Sequence, residues 1–383
     1  MKFLKWVVSL GIITLPLYFF PSGGPQISHI LFLFLFLFLF FAYKSRLFFD
    51  RSVLVLTLFL VFVFLREAIS IIYFGADIYS LNFFIFTFFN LILFSYLIIF
   101  LKINEINNII SNSVLISVLL SSLGVIMLSG FSFTYSNADD GVERAVGFFN
   151  NPNQLGYYSV CIFSLLTLLF YVKKINTYKW VFGVVLSLFL CAASLSKAAM
   201  VSLIFSLILV IMTLINKKNI YIYFFFLFVA TLFLLKLSSL IDWDDLTFIR
   251  RLQGIGSDND DSLEGRGYHA ILYANAWEII FGLGYEKTLN IVGHEVHSTY
   301  MSILISYGLI GFIFFVVFNF IIFSKCFTKF GFIKMLVLFM PTFMYGITHN
   351  GSRFTVFWLF LAFLYYLSIS VVIKDDKYVE KNI

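Results

Sequence analysis

The chain has 383 residues, 61% of them apolar or aromatic (AVILMFWYC) and only 12% charged, about half the charged share usual in soluble domains. Roughly 234 apolar residues, at about 20 per spanning helix, correspond to on the order of a dozen spans, and 53 Phe suit lipid contact better than water. This excludes a soluble fold, and the apolar runs are continuous rather than alternating, which excludes a β-barrel.

Taken in chain order, apolar runs place spans near 4–20, 28–43, 53–74, 79–101, 114–131, 155–172, 179–195, 198–215, 220–240, 299–323, 333–349 and 354–373. The first has a basic start and an apolar core like a signal peptide. It lacks a small-x-small cleavage site and reads as an uncleaved helix. The Leu-Phe alternation from Leu31 to Phe41 has the period of a strand but no polar residue, so it reads as a lipid-facing helix. Most Lys and Arg, from Lys2 and Lys5 through Lys173 and Lys174 to Lys374, Lys377 and Lys381, collect on one side if the N-terminus is cytoplasmic. The positive-inside rule then places both termini in the cytoplasm. The net charge of +6 reflects that sorting and is no sign of nucleic-acid binding. Three units follow: N-terminal helices over 1–240, an outer loop over 241–298, and C-terminal helices with a cytoplasmic tail over 299–383.

Within the loop, Tyr268 to Phe281 reads as an amphipathic helix lying on the membrane surface or over a cavity, followed by a turn at Phe281-Gly-Leu-Gly-Tyr-Glu286. Arg66 and Glu67 lie inside the third span, where charge is costly in lipid, so they are expected to face a polar interior and pair structurally. Cys161, Cys191 and Cys326 are isolated in apolar surroundings and read as packing residues.

The side chains suited to chemistry gather on the outer side. All five histidines, His29, His269, His294, His297 and His349, map there, and imidazole is the group best placed for proton transfer near neutral pH. His294 and His297 are spaced i, i+3, without a third ligand at clear spacing, so no metal is expected; His297 alternatively reads as a helix cap. Outer cations are scarce. Lys197 sits in a short turn, Arg144 precedes Gly147-Phe-Phe-Asn-Asn-Pro-Asn-Gln-Leu-Gly156, Arg266 follows an acidic run, and Arg353 opens the last span. Diphosphate oxygens are natural partners for such cations, since Arg grips them with paired hydrogen bonds. Arg250 and Arg251 are instead expected to pair with Asp258, Asp260, Asp261 and Glu264. Asn151 and Asn153, beside Pro152, suit sugar hydroxyls or helix capping. No phosphate loop, nucleophile elbow or dinucleotide fingerprint occurs. No internal duplication marks the two halves either, which argues against a secondary transporter.

His297-Ser298, nine residues, Gly308, two residues and Gly311 match the H-[NSQ]-x9-G-x2-G pattern of the bacterial O-antigen ligase/polymerase family. Arg266 with its aromatic-rich continuation, the Phe281–Tyr285 turn and the Arg144 segment add to that resemblance, which covers roughly 140–315. It implies an all-α, GT-C-like polytopic enzyme of about 12 transmembrane helices in the bacterial inner membrane. It also implies a metal-independent, inverting glycosyltransferase without cofactor, acting at the periplasmic face. The implied donor is a glycan on undecaprenyl diphosphate, with a chain-length regulator as a further partner. By position, Arg266 and Lys197 would hold the diphosphate and His297 would stand at the acceptor hydroxyl. Arg144, Asn151, Asn153 and His294 complete the expected substrate contacts. Ligases usually have Arg at the position of Lys197; this departure and the Asn-Asn-Pro-Asn-Gln run favour a repeat-unit polymerase over a ligase, with a flippase more distant.

Overall fold

The protein is described from a computed structural model that defines residues 2–20, 24–43, 50–104, 106, 108–128, 144–214, 262 and 264–370. Its long helices are α1 (Lys2–Ile13), α2 (Ile27–Tyr43), α3 (Arg51–Phe74), α4 (Asn82–Asn104), α5 (Asn108–Leu128), α6 (Pro152–Tyr171), α7 (Thr177–Ser194) and α8 (Lys197–Leu214). Two short helices follow, α9 (Ala276–Phe281) and α10 (Tyr285–Val292), then α11 (Thr299–Phe330), α12 (Phe332–Thr348) and α13 (Thr355–Ser370). Every regular element among the described residues is helical. Seven helices, α3 to α8 and α11, are long and apolar enough to cross a membrane, while α2, α12 and α13 are apolar but shorter. The expected span at 220–240, the Arg250–Arg251 pair and the tail beyond 370 lie outside the described residues.

Local chemistry explains the helix boundaries. Asp50 accepts from Ser52 N and Val53 N and so caps α3, which ends at Gly75 in the left-handed region. Asn151 accepts from Gln154 N at 2.9 Å to cap α6, with Pro152 in the first turn. The Leu-Phe repeat is helical within α2, as its all-apolar character required.

The centre is α6 and α13, which bury almost every residue they contain. A helix apolar all round belongs inside a bundle. Around them, α12 packs on α8 and α6, α11 on α3, α13 on α4, and α1 on α2 and α5. Exposed Phe, Leu and Ile on α2, α3, α7, α8 and α11 form the perimeter, where lipid would take the place of water. All three cysteines are free and buried, as packing residues would be.

Candidate active site at the histidine end of the bundle

The segment from Tyr268 to Phe281 is not one amphipathic helix. A 3-10 turn at Tyr268–Tyr273 ends in extended backbone at Ala274, and α9 then starts anew. The cause lies in Asn275-Ala-Trp-Glu278, a capping box in which Asn275 Oδ1 accepts from Glu278 N and Glu278 Oε2 accepts from Asn275 N. A strong helix start cannot also be helix interior. Leu272, Tyr273 and Trp277 are exposed.

The turn that follows is held from two sides. Gly308 breaks α11 at φ 61°, ψ −167°, and the carbonyls of Ile305 and Ser306 accept from Leu283 N and Gly284 N, both at 2.9 Å. A Cβ on Gly282 (φ 88°) would lie 2.1 Å from Ser306 O, and one on Gly308 would lie 2.4 Å from Ile280 O. Close backbone approach therefore requires glycine at both positions. From α3, Arg66 donates through Nε to Gly282 O at 3.0 Å and through Nη1 to Ser70 Oγ at 2.5 Å. Glu67 Oε1 accepts from Tyr285 N at 2.9 Å. The two charged residues of α3 thus hold the turn instead of bonding each other, a correction to the expected pairing. Both are buried.

A second set of contacts docks the loop on the end of α12. The last carbonyls of a helix need outside donors. Here Ser298 Oγ donates to Gly346 O at 3.2 Å, Tyr268 Oη to Ile347 O at 2.8 Å, and Arg266 Nη1 to Thr348 O at 2.7 Å. Thr299 N donates to His349 O at 3.2 Å, while Thr299 Oγ1 accepts from Gly351 N at 2.8 Å. A cation at this terminus also suits the helix dipole. Arg266 O in turn accepts from His297 N at 3.0 Å, which makes Arg266 and His297 direct neighbours. Ser298, not His297, caps α11 by accepting from Met301 N.

A cavity of about 340 Å³ opens at this end, lined by His297, Asn151, Asn153, Gln154, His29, His349, Asn350, Glu295, Arg353, Tyr345 and several aromatic rings. Of the seven residues expected from sequence, His297, Asn151 and Asn153 line it. Arg266, Arg144, Lys197 and His294 stand outside its wall. His294 stacks on His297 with ring centroids 4.8 Å apart. Arg144 stands behind Asn153, donating through Nη2 to Asn153 Oδ1 at 2.6 Å and through Nε to Ser194 O at 2.9 Å. The latter bond ties Arg144 to the turn from which α8 starts at Lys197. Tyr345 Oη donates to Asn153 O at 2.6 Å.

Glu295, His349, Arg353 and Tyr345 were not among the expected site residues. His349 and Arg353 carried a signal as outer-face groups, and Glu295 lies between the two histidines in sequence. Glu295 Oε1 pairs with Arg353 Nη2 and accepts from Tyr285 Oη at 3.0 Å. Burial pulls the Arg353 guanidinium below its ordinary pKa, against the neighbouring Tyr285, which raises it. Among the described residues no group of three or more His, Cys, Asp or Glu has metal-binding geometry.

Amides, imidazoles, one carboxylate and one guanidinium around a partly aromatic hollow suit a sugar with several hydroxyls. Comparison with curated proteins returns no match. Residues 182–316 match the family model described as O-antigen ligase, a stretch that contains Lys197, Arg266, His294 and the His297–Gly308–Gly311 pattern. Over that stretch, the sequence's resemblance to the O-antigen ligase/polymerase family holds.

Proposed function

We propose that this protein is a repeat-unit polymerase of polysaccharide assembly, an inverting glycosyltransferase that joins glycans carried on undecaprenyl diphosphate at the periplasmic face of a bacterial inner membrane. The observation that carries this reading is the meeting of His297, Asn151 and Asn153 in one polar cavity, with Arg266 bonded to the backbone of His297. That arrangement lies within or against the stretch that matches the O-antigen ligase family, whose members are membrane glycosyltransferase-like enzymes.

In the proposed reaction a sugar hydroxyl attacks the anomeric carbon from the face opposite the diphosphate. Undecaprenyl diphosphate leaves with the bonding electrons. Negative charge grows on the leaving oxygens, so cations at that position stabilise the transition state more than the ground state. Arg266 takes this role, its guanidinium oriented by Thr348 O. Lys197, at the first residue of α8, adds a point charge without the planar fork of Arg. Arg144 steadies Asn153, and Asn151 and Asn153 receive glycan hydroxyls. His297 stands at the acceptor, with His294 stacked behind it. Bilayer lipid surrounds the polyprenyl tail, and a chain-length regulator acts as a separate partner.

Purified protein supplied with undecaprenyl-diphosphate repeat units, and with no lipid A-core, tests the proposal. A ladder of longer lipid-linked chains is expected; no product counts against a polymerase. The description of the matching family as O-antigen ligase favours a second reading, transfer of the glycan to lipid A-core. Deletion separates the two. Loss of a polymerase leaves core bearing one repeat unit, whereas loss of a ligase leaves bare core and accumulated lipid-linked chains.

A further inference from the structure

The cavity holds three imidazoles but, among its described lining residues, a single carboxylate, Glu295. Proton uptake from the acceptor needs a group within hydrogen-bond reach of the hydroxyl and with a lone pair to receive it. His29 has none to offer. Its Nδ1 accepts from Gln26 N at 3.0 Å, so Nε2 carries the hydrogen and donates to Thr355 Oγ1 at 2.7 Å. His349 is stacked on Tyr345 and engages Thr348 Oγ1 through Nδ1 at 3.1 Å. His297 lies face to face with His294; a proton taken there would place a new cation against a second imidazole and in a cavity that already contains Arg353.

Glu295 has the opposite charge logic. Its bonds to Arg353 and Tyr285 converge on Oε1, so Oε2 lies outside both. Taking up a proton neutralises charge instead of adding it. Arg353 is set on a tightly built turn. Ser352 N and Oγ both donate to Asn350 Oδ1, Gly351 N donates to Thr299 Oγ1, and Trp358 Nε1 donates to Ser352 O at 2.6 Å. The guanidinium also lies over the Phe86 ring, 5.7 Å from its centroid.

We propose that Glu295 is the proton acceptor for the incoming sugar hydroxyl, and that Arg353 is its resting counter-ion, drawn toward the donor's diphosphate as the reaction proceeds. This rests on the glycosyltransferase reading above. The hydroxyl oxygen forms the new bond to the anomeric carbon, and its proton passes to Glu295 Oε2. The bond from the anomeric carbon to the diphosphate oxygen breaks, with its electron pair leaving on undecaprenyl diphosphate. As negative charge builds on that leaving group it competes for Arg353, and a carboxylate losing its cation becomes a stronger base. Bond breaking and proton uptake are thereby coupled, and His297 is left to orient the acceptor. Among the described residues, the charged and titratable groups around Glu295 are Arg353 and Tyr285, which bond it, and His29, His297, His349, Tyr18 and Tyr345, which line the same cavity.

Initial rates of purified protein on undecaprenyl-diphosphate repeat units, measured from pH 4 to 9, test this. Wild type is expected to lose activity on an acid limb in the carboxylate range, well below the roughly 6.5 of an imidazole. Glu295→Gln is expected to lower kcat by about 100-fold or more with KM within about threefold, while eluting and melting like wild type. Arg353→Ala is expected to move the acid limb to higher pH, because Glu295 loses the cation that favours its charged form. Product from wild type together with an undiminished Glu295→Gln overturns the role of Glu295. So does an acid limb near 6.5 that disappears in His297→Ala. An acid limb unmoved in Arg353→Ala overturns the counter-ion. A wild type that makes no product from these repeat units overturns the polymerase reading on which both roles rest. If Glu295→Gln fails to fold, Glu295→Asp and the limb shift in Arg353→Ala carry the test.

Discussion

Two polar constellations lie at the same end of this bundle, and they differ in what their side chains touch. Arg66 and Glu67 are buried and engaged with the turn 282–285 through Gly282 O, Tyr285 N and the neighbouring Ser70. Glu295, His297, His349 and Arg353 instead face a hollow of about 340 Å³. A buried charge that spends its bonds on backbone fixes shape, because removing it strands a partner in low dielectric. A charge on a cavity wall keeps part of its bonding capacity for an arriving molecule. The first constellation positions the loop, and the second is where we place the chemistry.

The largest expected effect tests the first constellation. Gly282→Ala and Gly308→Ala each add a Cβ within 2.4 Å of backbone at positive φ, so folded protein recovered from membranes should fall several-fold, as read by size-exclusion profile. Wild-type recovery of both variants would mean that the turn does not seat in the break of α11. Next, His297→Ala should cut glycan-joining activity by about 10²-fold through lost orientation of the acceptor, with an unchanged melting temperature, separating a cavity group from a framework group. Arg66→Ala should do the reverse. It strips Gly282 O and Ser70 of their donor and should cost about 1–3 kcal/mol of stability, visible as a lowered melting temperature, with lost activity tracking lost folded protein. Arg144→Lys abandons one of two bonds, to Asn153 Oδ1 or Ser194 O; about 1 kcal/mol, or a fivefold rise in KM, is expected. Lys197→Arg is the mildest, retaining charge and adding a planar fork; a change in kcat/KM within about threefold is expected, and a collapse would show that the ammonium itself is required.

Much of the fold was legible in composition and charge. Long apolar runs bounded by Asn, Asp, Pro and Gly can only be helices in lipid, where backbone groups must bond internally, and α3 to α8 follow those runs closely. The failure at Tyr268–Phe281 was local: an apolar 3.6-residue pattern persisted across Asn275, whose capping box restarts the helix there. The partners of Arg66 and Glu67 were not legible, since Gly282 and Tyr285 lie more than 200 residues away. At the site, His297, Asn151 and Asn153 stood out by residue type in outer segments, but nothing in their spacing tells which face a hollow.

The sequence alone pointed to a helical membrane protein, put its histidines and a few cations in segments expected on one side, and carried a resemblance of residues 182–316 to the O-antigen ligases. Those properties depend on hydropathy, charge and short patterns, which survive without knowledge of neighbours. Only the tertiary structure decided that Arg266 meets the terminus of α12, that Arg144 stands behind Asn153, and that Glu295 and Arg353 pair across the cavity. Such contacts join residues from distant helices, and which side chains meet is settled by how the helices pack.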